Sequence, residues 1–160
     1  MAGTSQFERM QIESVFAPKL RDIKVGSGLY LMPDSDPDRQ VFEIAVNPAM
    51  QKNEINVGTI IVAFDSDSFL SQVAQYIQVS EIVIAEVSEH NPHVLYVLGM
   101  CHGMGRCPLL VTRDASNLPF GLQCLRWVQY KNDQRGLVWL REELTRAIRV
   151  FLAAARAPRD

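Results

Sequence analysis

Cysteine is scarce, and the three present, Cys101, Cys107 and Cys124, form an odd set lying in or near apolar runs. Such a set suits buried free thiols in a reducing compartment and leaves no disulfide framework on which to build a fold. Charge of one sign is lacking too. With a formal net charge of −2 there is no basic footprint for nucleic acid and no cationic face for an anionic membrane, so neither is expected as a partner. No stretch reaches the roughly 18 to 20 apolar residues that a membrane-spanning helix needs. The opening "MAGTSQFERMQIESVF" has no basic region followed by a continuous apolar run and reads as no export signal, so the expected location is cytoplasmic.

The usual signatures of cofactor and metal chemistry are also missing. There is no GxGxxG and no P-loop, and the first crossover loop, "PDSDPDR", is acidic where a dinucleotide fold offers glycines and bare N–H groups. No cofactor is expected. No GxSxG elbow frames a serine nucleophile, and Cys101 lacks the loop setting of a cysteine one. His90, His93, Cys101, His102 and Cys107 do not fall into CxxC or HExxH spacing: the first two straddle a helix start, Cys101 lies over two turns further on, and Cys107 enters an expected buried strand. No metal site is expected. Fixed-period repeats and low-complexity tracts are absent, and only "MAGTS" and "AAARAPRD" read as fraying ends.

What is there suits one globular domain: 160 residues, 48% hydrophobic and 21% charged. Residues 6–24 carry Phe7, Met10, Val15, Phe16, Leu20 and Ile23 at loosely helical spacing, interrupted by Pro18. This predicts a broken helical segment or linker over 1–25, with Gly26 and Gly28 marking the joint to a domain over 26–156. The helical stretch either packs on the domain or is the tail of a preceding one. Beyond it, strand and helix patterns alternate. "LYLMP" predicts a strand, and Val41, Ile44, Ala45 and Met50 form the inner face of a helix that kinks at Pro48 or ends at Asn47. "INVGTIIVAF" predicts a second strand, and "DSDSF" caps a helix with Leu70, Val73, Ala74 and Ile77 inward. "EIVIAEV" predicts a central strand covered on both faces. A helix over 92–104, strands at "CPLLVT" and "LRWVQY", and a last helix through Leu137, Leu140, Leu144, Ile148 and Phe151 complete the order.

This alternation predicts an α/β protein: a three-layer, flavodoxin-like (Rossmann-like) fold with a parallel five-stranded sheet of order 2-1-3-4-5. Ligands of such folds bind beyond the carboxyl ends of the strands where the order reverses. That directs attention to Pro33–Asp38, Phe64–Asp67, Glu86–Pro92 and Thr112–Asp114. Asp34, Asp36, Asp65, Asp67, Glu86 and Glu89 would gather near this mouth and repel phosphate unless a divalent ion, or Arg39 and Arg113, intervened. A nucleoside, a base or a cationic group fits better than a dinucleotide. The same acids also serve as ordinary turn and cap residues. Tyr30, Phe64, Tyr96 and Phe120 offer rings for stacking on a base, with core packing as the alternative.

"SEHNPHVLYVLG" carries a strong helix start, since Asn91 can accept a first-turn N–H and Pro92 loses nothing at the first helical position. Gly99 and Gly103 share a helix face and predict a close approach of the backbone to the sheet. The longer stretch "SEIVIAEVSEHNPHVLYVLGMCHGMGRCPLLVTRDASNLPFGLQCLRWVQY" resembles bacterial proteins of the nucleoside 2-deoxyribosyltransferase-like superfamily, relatives in fold of TIR domains. The likeness runs over 28–145 in element order and is close over 80–130, where NP, the LG pair, a small-residue helix, the LPF turn and the last strand fall in register. In the enzymes of that superfamily a glutamate on the helix after the third strand attacks the anomeric carbon, assisted by a carboxylate six residues earlier. The matching positions here hold Val97 and Asn91. A retaining glycosyl transfer needs a carboxylate nucleophile, and valine supplies neither charge nor a bond.

The resemblance therefore implies a nucleoside- or nucleotide-ligand-binding domain, a non-catalytic sensing or regulatory module. Its ligand set would be Met32, Pro33, Asp34, Phe64, Asp65, Ser88, Asn91, Tyr96, Val97, Thr112, Arg113 and Phe120. One alternative is an active N-glycosidase or deoxyribosyltransferase whose acid has moved to Glu86 or Glu89, Glu86 reaching about 1.5 Å further than the family's usual aspartate. Another is a TIR-like protein-interaction domain. Homo-oligomerisation and attachment to a larger protein stay open.

Overall fold

The computed structural model describes residues 22–61 and 67–157. Five strands, β1 (Lys24–Met32), β2 (Asn56–Ile61), β3 (Ser80–Glu86), β4 (Leu109–Thr112) and β5 (Trp127–Gln129), pair in parallel in the order β2-β1-β3-β4-β5. The crossovers are helical: α1 (Asp36–Val41) and α2 (Asn47–Lys52) joined by a π-helical turn at Phe42–Val46, then α3 (Asp67–Val79), α4 (Pro92–Gly103) and α5 (Gln134–Arg156). The fold is the predicted three-layer α/β arrangement, consistent with a flavodoxin-like architecture. None of the described helices is long and apolar enough to cross a membrane.

The period of two along the strands divides the core. Leu29, Leu31, Val83 and Ala85 face α3 and α4, which contribute Val73, Ile77, Val94, Val97, Leu98 and Cys101 to that layer. Tyr30, Met32, Ile82 and Ile84 face the other way, against the 36–52 helical stretch and Leu137, Leu140, Leu144 and Ile148 of α5. Every residue of β3 is buried because helices cover both its faces.

Several expectations change. β1 starts at Lys24, so Gly26 and Gly28 lie inside a strand instead of marking a joint. Gly26 takes φ +79° where the β1–β3 register shifts, and a Cβ on Gly28 would stand 2.6 Å from Ile55 Cγ2. The expected helical segment over 1–25 lies outside the described residues as far as 21, and the "DSDSF" cap of α3 begins outside them. At Pro48 the helix neither ends nor breaks. The ring removes a donor and crowds the carbonyl four residues back, and the widened π turn just before it absorbs the misfit. Gly99 and Gly103 face solvent, and nothing lies within 4 Å of a Cβ placed on Gly99, because Val94, Val97, Leu98 and Cys101 set the helical phase inward. Cys101 is buried as expected, but Cys107 and Cys124 are exposed, since both sit in the turns that precede β4 and β5 and not in the strands themselves.

Candidate functional site

Glu86 is the last residue of β3 and follows Ile82 and Ile84 onto the α5 side of the sheet, where it is only 1% exposed. A buried carboxyl needs partners. Tyr130, just past β5, donates its hydroxyl to Glu86 Oε2 at 2.8 Å, and Ser88 donates its N–H to Oε1 at 2.9 Å along with its hydroxyl. The Ser88 hydroxyl in turn accepts the Arg113 N–H at 2.8 Å, which joins the loops after β3 and β4. The chain between them closes tightly: His90 adopts φ +49° and its N–H reaches the Val87 carbonyl at 3.2 Å, so Glu89 projects outward.

A second buried acid completes the cluster. Asp38, fully buried in α1, accepts the Ser35 hydroxyl at 2.6 Å and the Arg113 guanidinium at 2.9 Å. Ser35 caps the same helix by accepting the Asp38 N–H at 3.3 Å. Arg113 also reaches Glu89 at 3.3 Å, and its side chain is 25% exposed, so it links the buried acids to the surface. Two polar atoms of this cluster, Tyr30 Oη and Arg113 Nε, are buried with no hydrogen-bond partner among the described residues. Tyr30, stacked on Phe42 with ring centroids 5.6 Å apart, is held with its hydroxyl in the field of Glu86, Tyr130, Asp38 and Arg113.

The electrostatics follow from burial. Desolvation raises the Glu86 carboxyl to about 7, with Asp38 adding to the rise, while the hydrogen bonds from Ser88 and Tyr130 pull the other way. Burial and then the Glu86 charge hold the Tyr30 hydroxyl well above its ordinary range, and the same two causes raise that of Tyr130. At neutral pH Glu86 is thus divided between acid and carboxylate. The cluster can offer a ligand either a donor or an acceptor there, beside a fixed guanidinium.

The structure brings together Glu86, Ser88 and Arg113, with Glu89 at the rim. Met32 and Pro33 are buried beneath the first loop, whereas Asp34 turns outward to an exposed pair with Arg39 at 2.5 Å. Thr112 is buried and turns the chain by bonding the backbone of Asp114. Asn91 caps α4, its side chain accepting the N–H groups of His93 and Val94 at 3.0 and 3.3 Å. Val97 lies in the opposite layer, fully buried among the residues under α4, and Tyr96 is half exposed on that helix. Phe120 is 91% exposed. Phe64 and Asp65 lie outside the described residues. Among the described residues, no three His, Cys, Asp or Glu side chains converge as metal ligands.

Asp38 entered the expectations only as the end of the Pro33–Asp38 loop, with no role assigned, and Tyr130 not at all. A signal existed for each: Ser35 and Asp38 hold the spacing of a capping box, and Tyr130 follows β5 directly at the carboxyl edge of the sheet. Compared with known proteins, the chain matches no family model and no curated protein.

Proposed function

We propose that this domain binds a nucleoside or a nucleotide-derived small molecule at the carboxyl ends of β1 and β3, as a sensing or regulatory module without glycosidase activity. The observation that carries the reading is the cluster of Glu86, Ser88, Arg113 and Asp38 at the strand-order reversal, with the Tyr30 hydroxyl buried beside it and without a partner among the described residues. Nucleosides present mixed donors and acceptors on base and sugar, which suits a carboxyl near neutrality, and the Arg113 fork suits a carbonyl or a phosphate oxygen. Absence of catalysis is supported by Val97, whose side chain is packed in the apolar layer.

Calorimetry and thermal shift with nucleosides, nucleotides and NAD test this. At least one should bind and raise the melting temperature, Arg113→Lys should weaken it about tenfold, and no free base should accumulate. If none binds while the protein self-associates, a TIR-like interaction domain replaces this reading. A second reading, an enzyme using Glu86 as its acid, is favoured by the carboxyl being held near 7. Base release that vanishes in Glu86→Gln establishes it.

A further inference from the structure

At the opposite rim of the sheet, where β4 and β5 begin and α5 ends, a cavity of about 820 Å³ opens to solvent. Its size lies within the roughly 300–1,000 Å³ of small-molecule sites. Leu109, Leu125, Ala147, Val150, Phe151 and Ala154 form its walls, and Val150 is 58% exposed, so among the described residues apolar surface along the last turns of α5 stands uncovered. Arg126, Glu143 and Arg146 contribute charged groups to the same lining. Arg146 is neutralised by its ion pair with Glu143, but Arg126, exposed at the start of β5, enters no ion pair among the described residues. Among the described residues the lining therefore carries one positive charge without an ion-pair partner beside its apolar walls.

We propose that this cavity is a binding site for a small amphipathic anion, a carboxylate carrying an aliphatic or aromatic body, with its head on Arg126 and its tail along α5. The direction follows from the helix. Carbonyls at the carboxyl end of α5 carry partial negative charge, which repels an anionic head from Ala154 and Ala155 and favours the Arg126 and Arg146 side. A neutral ligand would leave the free guanidinium unused, and a cation would be repelled by it. This site lies at the other end of the strands from the Glu86 cluster, so it stands or falls independently of the nucleoside reading.

Two native thiols report on occupancy. Cys107 and Cys124 both line the cavity and are exposed, whereas Cys101 is buried, so alkylation of the folded protein reads the cavity. Decanoate, used below its micellar range, should slow iodoacetamide modification of both thiols at least about fivefold, while decanol and decyltrimethylammonium protect much less. Arg126→Gln, an exposed substitution, should reduce decanoate affinity about tenfold without lowering the melting temperature. Ala154→Trp, also at an exposed position, should abolish protection by filling the tail's place. No protection by decanoate, equal protection by decanol, or undiminished binding in Arg126→Gln would each overturn the proposal.

Discussion

The two faces of β3 differ sharply over three residues. Val83, Ala85 and Val87 point into a layer of aliphatic side chains supplied by α3 and α4, while Ile82 and Ile84 on the other face lead to Glu86, Tyr130, Asp38 and Arg113. One strand thus separates a dry layer from one that ends in a buried polar network. Position 97, where the superfamily that the sequence resembles places its nucleophile, belongs to the dry side, and Glu86 to the other. A side chain in one layer cannot stand in for one in the other by a short step, because the sheet lies between them. Any chemistry at Glu86 would use different neighbours and a different approach.

The severest challenge to that contrast is Val97→Glu. On a surface-lined cleft this substitution would restore a reactive acid at little structural cost. In the layer described here it buries an unpartnered carboxyl, so it should destabilise the domain by on the order of 3 kcal/mol and lower the melting temperature by about 10 °C. Chemical and thermal denaturation of the variant measure both. A stable Val97→Glu protein that releases base from nucleosides would show that position 97 reaches the ligand after all.

On the polar side the contrast predicts an unusual pH dependence. Glu86 has its carboxyl raised from 4.5 to about 7, so between those values the folded chain keeps a proton that the unfolded chain has released. The slope of stability with pH is then negative. This group's contribution is fully present below about 4.5 and is lost as pH rises through about 7, a change on the order of 3 kcal/mol. Glu86→Gln has no proton to lose and its amide can still meet Ser88 and Tyr130, so its denaturation midpoint should be flatter across the same window. A wild-type midpoint that climbs with pH, matched by the variant, would contradict the burial of a poised acid.

Strand order and layers were legible in the sequence because uninterrupted β-branched runs and three-and-four spacing report burial directly, as in "EIVIAEV" and in Leu137, Leu140, Leu144 and Ile148. The site was legible in part. Glu86, Ser88 and Arg113 follow from topology, since strand ends at an order reversal converge wherever the chain goes next. Asp38 was placed near the site without a role and Tyr130 did not stand out, because their partners lie far along the chain, 75 residues away for Asp38 and Arg113 and 44 for Tyr130 and Glu86. The outward phase of Gly99 was misread for a related reason: two small residues four apart mark a face of a helix without saying which way it turns.

The loop from Val87 to Asn91 serves both layers, and Asn91 gives the finest test of how they divide. Its side chain is committed to α4, accepting two N–H groups at the first turn of the dry-side helix. Asn91→Ala should therefore cost about 1 kcal/mol, a melting-temperature drop of roughly 2–4 °C, with the proposed nucleoside binding unchanged. Asn91→Asp keeps an acceptor in the same place and adds a negative charge at a helix start, where the peptide dipoles favour it, so its stability should equal or slightly exceed that of the parent. The superfamily's helper acid would stand at this position, which makes the aspartate variant informative twice. If the proposed nucleoside binding is the same in the variant as in the parent and no base is released, Asn91 is a cap alone; if ligand affinity changes about tenfold in either variant while stability moves as predicted, the capping residue also faces the ligand.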